Sequence, residues 1–155
     1  MIDSQSVKTT RRGGLSGFEG NKKIKGRKPH IMVDTMVNMI TNIVHIANMN
    51  DSKEANLMLK NFNENIYEIK VIYADFGYRG ELILTAKKSY NYELKISPKI
   101  KDLTTKMVSP KRWIVERTFA WLESFRRLSK DFEYFLENSQ AMLYLASLKL
   151  LLNKI

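Results

Sequence analysis

A chain of 155 residues with 44% hydrophobic side chains is long enough for one domain with a core of its own, and too apolar for a disordered tail. The absence of cysteine excludes disulfide scaffolds and thiolate metal sites and fits a reducing cytoplasm, and two histidines, His30 and His45, give zinc little to bind. The net charge of +10 is clustered: residues 1–30 and residues 98–130 each carry +6, and the remainder is slightly acidic. Two basic blocks on a near-neutral body form an electrostatic footprint for nucleic acid, against the plainer reading of a solvated charged surface. Lys149 interrupts the best apolar run, so no segment is expected to span a membrane, and the start Met-Ile-Asp-Ser-Gln is not a signal peptide.

In chain order, residues 8–28 are rich in Gly, Lys and Arg and read as a mobile basic loop. The glycines from Gly13 to Gly20 lack the spacing of a phosphate-binding loop, and no Gly-Lys-Ser/Thr follows. Residues 30–47, rich in Val, Ile, Met and Thr with a polar break near Asn38, read as a β-hairpin. A helix follows over 51–65, with Ala55, Met58, Leu59 and Phe62 at helical spacing and Asp51 or Ser52 as its cap. Residues 69–75 read as a short strand buried on both faces and ending in Asp75. A turn over 76–80, a short helix over 81–89 and a strand over 90–97 come next. After a basic loop, Pro110 suits the first turn of a long helix running to about Lys130, and a leucine-rich helix over 139–153 closes the chain. The order hairpin, helix, strand, helix, strand, helix, helix predicts a single α/β domain with a mixed sheet.

Acids at the C-terminal ends of strands lie where open α/β sheets place their chemistry. Asp75 is such an acid, and its plain alternative is a turn acid before Gly77. Asp3 is either a candidate ligand or a solvated terminal acid. Glu116 lies one helical turn after Arg112 and is either that arginine's salt-bridge partner or one arm of a metal site facing a polyanion. Together the three carboxylates could hold two Mg²⁺ ions, which clamp the attacking and leaving oxygens of an in-line phosphoryl transfer and need neither histidine nor cysteine. Trp113 and Trp121 could stack on flipped bases, but their helical spacing favours core positions. Asp34 reads as a polar strand or turn residue.

Four ordered blocks carry a resemblance. Ile-Asp-Ser-Gln-Ser-Val-Lys-Thr-Thr (2–10), Gly-Asn-Lys-Lys-Ile-Lys-Gly-Arg-Lys-Pro-His-Ile-Met-Val-Asp-Thr (20–35), Tyr-Ala-Asp-Phe-Gly-Tyr-Arg-Gly (73–80) and Arg-Trp-Ile-Val-Glu-Arg-Thr-Phe-Ala-Trp-Leu (112–122) resemble bacterial insertion-sequence transposases of the DDE group, in the insertion-sequence-five branch. The resemblance implies a ribonuclease-H-like mixed sheet flanked by helices, and Mg²⁺-dependent cleavage and joining of double-stranded DNA at transposon ends and target, with Mn²⁺ as a substitute metal. By motif, Asp3, Asp75 and Glu116 match the three catalytic, metal-holding acids, and Arg112 matches the arginine one turn before the glutamate. Lys22, Lys23, Lys25, Arg27 and Lys28 are then candidate grips on backbone phosphates, joined by Arg117, Arg126 and Arg127.

The match also has departures. Ser109 and Glu123 stand where the related signature Tyr-x2-Arg-x3-Glu-x6-Lys has its tyrosine and lysine, with Arg126 and Arg127 as candidate substitutes for the lysine. Only Met1 and Ile2 precede Asp3, so the first strand is expected to be largely truncated, and the upstream DNA-binding segment of the family is expected to be absent. That pattern fits the C-terminal part or second reading frame of a transposase, completed by an upstream-frame product and working as a homodimer. The alternative is a catalytically inactive remnant that binds DNA non-specifically or inhibits the full-length enzyme. Either would reside in the bacterial cytoplasm and join the nucleoid when on DNA.

Overall fold

The computed structural model describes residues 1–62, 69–97 and 111–154. Its centre is a long antiparallel hairpin, β4 (Ile24–Val33) and β5 (Met39–Ile46), closed by a turn in which the Asp34 carboxylate accepts from the backbone of Met36 and Asn38 and from the Asn38 amide. Asp34 is thereby a turn residue. The first arm begins at Ile24, well before the expected His30. Two short strands, β2 (Val7–Lys8) and β3 (Gly17–Glu19), pair with opposite edges of its early half.

The expected basic loop over 8–28 therefore contains parts of three strands, at Lys8, 17–19 and 24–28. The low apolar content of 24–28 hid a strand whose pairing comes from neighbours distant in sequence. Gly26 is required there: a Cβ would lie 1.9 Å from the Val7 carbonyl oxygen.

β1 (Ile2–Ser4) lies beside β4 in antiparallel register, with Ile2 opposite Met32, Asp3 opposite Ile31 and Ser4 opposite His30. Its other edge meets β6 (Val71–Ala74) in parallel at one residue pair, Ile2 with Ala74, and β6 pairs in parallel along its length with β7 (Glu93–Ile96). The short first strand is thus in place at the middle of the sheet, and Val33 extends its pairing by donating to the Met1 carbonyl at 2.9 Å.

Helices cover both faces. On one face α1 (Asp51–Asn61) and α2 (Glu81–Tyr90) pack over Ile2, Met32, Ile72, Ala74 and Leu94. On the other, α3 (Arg112–Glu123) and α4 (Leu136–Leu152) pack over Ile31, Val33 and Val44. Each buried Leu or Ile contributes roughly 1.5–3 kcal/mol. Asn50, rather than Asp51 or Ser52, caps α1 by accepting from the Ser52 amide at 2.9 Å. Asn91 ends α2 in the left-handed conformation. α3 stops at Glu123 instead of reaching Lys130, because the chain turns through 124–130 before starting α4 three residues earlier than expected. β6 is buried on one face only: Ile72 and Ala74 are covered, while Val71 and Tyr73 are half-buried.

An antiparallel hairpin beside a central strand, followed by two parallel strands with helical crossovers, is a ribonuclease-H-like α/β arrangement. Among the described residues no helix is long and apolar enough to cross a membrane.

Candidate active site

Strand alternation sorts the side chains around β1. Ile2 points into the α1–α2 core, so Asp3 points to the opposite face, toward α3, and Ser4 returns to the α1 side beside His30. Asp75 follows the last residue of β6, and the single register pair between Ile2 and Ala74 sets Asp3 and Asp75 side by side. Each carboxylate accepts from the amide of the next residue, Ser4 to Asp3 at 2.8 Å and Phe76 to Asp75 at 2.7 Å; the second bond starts a one-turn 3₁₀ helix over Phe76–Tyr78.

α3 brings Arg112 and Glu116 to the same place. Ile114, Val115, Thr118, Phe119 and Leu122 bury one side of this helix, which leaves Arg112, Glu116 and Glu123 along its flank. Arg112 Nε donates to Glu116 at 2.8 Å, and a terminal nitrogen of the guanidinium lies 3.7 Å from Asp75. Glu116 is thus the salt-bridge partner of Arg112, and that arginine also faces Asp75.

The electrostatics agree with the geometry. Burial, reinforced by the neighbouring Asp75 charge, pushes the Asp3 carboxyl up from its ordinary 3.8 to about 6, against the lowering effects of the Ser4 amide, Arg112 and Lys22. Burial works against the Arg112 charge, but Asp75, Asp3 and Glu116 together raise its pKa. Arg112 is therefore the resident counter-ion of all three acids.

Hard carboxylate oxygens suit Mg²⁺, which commonly binds through one or two carboxylates and keeps several waters. The adjacent Asp3 and Asp75 carboxylates, with the Arg112 guanidinium 3.7 Å from Asp75, offer the oxygen donors such an ion takes. Among the described residues no three acidic or histidine side chains are grouped closely enough to hold a metal together, and Glu116 is engaged by Arg112.

The candidate phosphate contacts divide. Lys22, Lys23 and Lys25 are exposed on the β3–β4 turn and the start of β4. Arg27 is not available: its side chain is 0% exposed, pairs with Asp131 at 3.0 Å, and donates to the Ser139 hydroxyl and to the carbonyls of Leu15, Glu133 and Tyr134. Lys28 is also withdrawn, buried against Asp51 at 3.0 Å and Glu19 at 3.7 Å. A loop over 8–28 would leave both facing solvent; on β4, a central strand, a buried cation must be paired.

Arg117 stacks between Trp113 and Trp121, with its guanidinium 4.9 and 5.8 Å from the two ring centres. Trp113 is 44% exposed, so it is a surface residue rather than a core one. Arg127 binds Glu133 at 2.7 Å, Arg126 is exposed, and Glu123 accepts from the Gln5 amide. Ser109 and Pro110 lie outside the described residues.

Sequence reasoning missed a polar cluster on the far side of the acid pair. His30 and Lys28 from β4, Tyr78 from the 3₁₀ turn and Asp51 from α1 meet there. The period-2 alternation that sends Asp3 to α3 also sends Ser4 and His30 to this cluster, and that was the available signal.

A curated Burkholderia cepacia protein, "Putative transposase for insertion sequence element IS402", is 30% identical over 115 residues, which cover 70% of this chain and 54% of that protein. The chain thus spans about half the length of this relative. Among solved structures, a piggyBac transposase synaptic complex with hairpin DNA aligns with 67% of this chain and 23% of its own, at a TM-score of 0.45 and 18% identity. The Transposase DDE domain family matches residues 1–151, and the chain belongs to that family.

Proposed function

We propose that this chain is the catalytic part of an insertion-sequence transposase that cleaves DNA phosphodiesters and joins the freed ends to a target, using Mg²⁺ or Mn²⁺. The observation that carries this reading is the meeting of Asp3 and Asp75, on adjacent strand ends, with Arg112 and Glu116 on α3. Asp3 and Asp75 would hold divalent metal there, with Glu116 the third acid beside it; two such ions, when bound, would supply activation of water or a 3′-hydroxyl and stabilisation of the leaving oxygen. Arg112 neutralises the acids before substrate arrives and meets the phosphate when it does. Lys22, Lys23 and Lys25 grip backbone phosphates without reading sequence, and Arg117 and Arg126 extend the basic surface along α3 and past its end. The DNA partners are double-stranded element ends and a target, brought together by two copies of the protein.

A second reading is an inactive DNA-binding remnant that competes with full-length transposase. It is favoured by Glu116 being engaged by Arg112, and by Glu123, held by Gln5, standing where the signature has a lysine for the DNA end. Incubating supercoiled plasmid and end-labelled duplex with the protein and Mg²⁺ or Mn²⁺ separates the two. The catalytic reading predicts nicked and strand-joined products that vanish in Asp75→Asn and Glu116→Gln. The remnant reading predicts salt-sensitive DNA binding with neither product.

A further inference from the structure

The acid pair sits on a weak backbone joint. β1 and β6 share one register pair, Ile2 with Ala74, and Asp3 and Asp75 are each the next residue along. One pair constrains the relative position of two strand ends poorly, whereas side chains that clamp carboxylate ligands need sub-ångström placement.

The buried polar cluster behind the pair supplies the missing brace. Tyr78, three residues after Asp75, is buried, and its hydroxyl lies 3.1 Å from His30 Nδ1. The ring of Tyr78 also meets that of His30 edge-on, at 5.8 Å and 88°. His30 stands opposite Ser4, the residue after Asp3. Asp51 Oδ1 accepts from Lys28 Nζ at 3.0 Å, lies 3.5 Å from His30 Nε2, and takes a 3.5 Å contact from the Ser4 hydroxyl. Ser52 donates to the Gly77 carbonyl at 3.1 Å, tying the same 3₁₀ turn to α1.

The imidazole's protonation pattern follows from its neighbours. Nε2 faces an ionised carboxylate, so the proton resides there and Nδ1 accepts from the Tyr78 hydroxyl. A hydrogen bond from phenol to imidazole thus ties the turn that carries Asp75 to β4, and a 3.5 Å charge contact faces the same imidazole to Asp51 on α1.

Apolar packing would serve stability better. The cluster, with the His45 ring 4.6 Å from that of His30, buries two histidines, a lysine and a phenol, and leaves His30 Nε2 and His45 Nε2 without a hydrogen-bond partner. Buried polar networks are better at fixing one geometry than at adding stability.

We propose that Tyr78 and His30 are positioning residues for the acid pair, their hydrogen bond fixing the Asp75 turn against β4, the strand paired with the Asp3 strand, from the opposite face of the sheet. This rests on the reading of Asp3 and Asp75 as the metal-holding carboxylates.

The test uses the full chain with Tyr78→Phe, His30→Gln, His30→Leu and Asp75→Asn. It reads Mn²⁺ affinity by electron paramagnetic resonance, and amide hydrogen exchange at Ser4 and Phe76, the two amides that donate to the acids. Tyr78→Phe removes one oxygen and should weaken Mn²⁺ binding roughly 10-fold, as loss of outer-sphere support does at metal sites, and should speed exchange at both amides. His30→Gln can still donate to Asp51 and accept from Tyr78, so it should lie nearer the unmodified protein than His30→Leu. Mn²⁺ binding that Asp75→Asn abolishes but Tyr78→Phe leaves unchanged overturns the positioning role while sparing the acids. If the unmodified chain binds no Mn²⁺, the reading of the acids fails. In that case unchanged exchange at Ser4 and Phe76 in Tyr78→Phe also overturns the brace, and faster exchange upholds it.

Discussion

Replacing Asp3 with Asn should stabilise the metal-free protein at neutral pH. The Asp3 carboxyl titrates near 6 in the folded chain against an ordinary 3.8, with burial as the leading cause and the Asp75 charge adding to it. An acid whose folded pKa is raised binds its proton more tightly in the native state. Its favourable contribution is complete below about pH 4 and is lost as pH rises through about 6. Each pKa unit corresponds to about 1.4 kcal/mol, so ionised Asp3 costs the fold about 3 kcal/mol at pH 7.5 and about 1 kcal/mol at pH 4.5. Asn keeps the oxygen that accepts from the Ser4 amide and carries no charge. Urea denaturation in the presence of EDTA should show Asp3→Asn more stable by about 3 kcal/mol at the higher pH, with about 2 kcal/mol of that gain absent at the lower. An equal change at both pH values, or a loss of stability at pH 7.5, would refute the buried, charge-crowded placement of Asp3.

Arg27→Met should destabilise the fold by about 3–5 kcal/mol, because Asp131 is left partly buried without its cation; chemical denaturation reads this. In contrast, Lys23→Ala and Lys25→Ala should leave stability nearly unchanged and should each lower the slope of log affinity for DNA against log salt by roughly 1. Arg112→Gln removes the cation that competes for Asp75 and Glu116. Mn²⁺ affinity should rise by up to roughly fivefold, the worth of a half-exposed ion pair of about 1 kcal/mol, while any DNA cleavage falls, as seen by titration and plasmid nicking respectively.

The parts of the fold that declare themselves locally were legible in the sequence. Apolar residues at period 3.6 gave α1 and α4, and the Val- and Ile-rich stretches gave β5 and β6. The segment from Lys8 to Lys28 was not legible. Its charges have partners, Asp131 for Arg27 and Asp51 for Lys28, at separations of 104 and 23 residues, and no local pattern encodes a pairing of that range. The acids and Arg112 were readable as candidates, since motif order and the i,i+4 spacing name them. That Arg112 engages Glu116 and Asp75 together depends on how α3 docks on the sheet. The same holds for Tyr78 and His30, which the sequence places in a turn and a hairpin and whose meeting place lies directly behind the acid pair.

The central claim is that Asp3 and Asp75 form one site for a divalent cation. A Mn²⁺ titration followed by amide resonances tests it most directly, because paramagnetic broadening marks the residues nearest the ion. The account predicts that Ser4 and Phe76 broaden first, that α4 signals persist, and that Asp75→Asn abolishes the effect. Broadening that begins elsewhere, or is unchanged in Asp75→Asn, would contradict it.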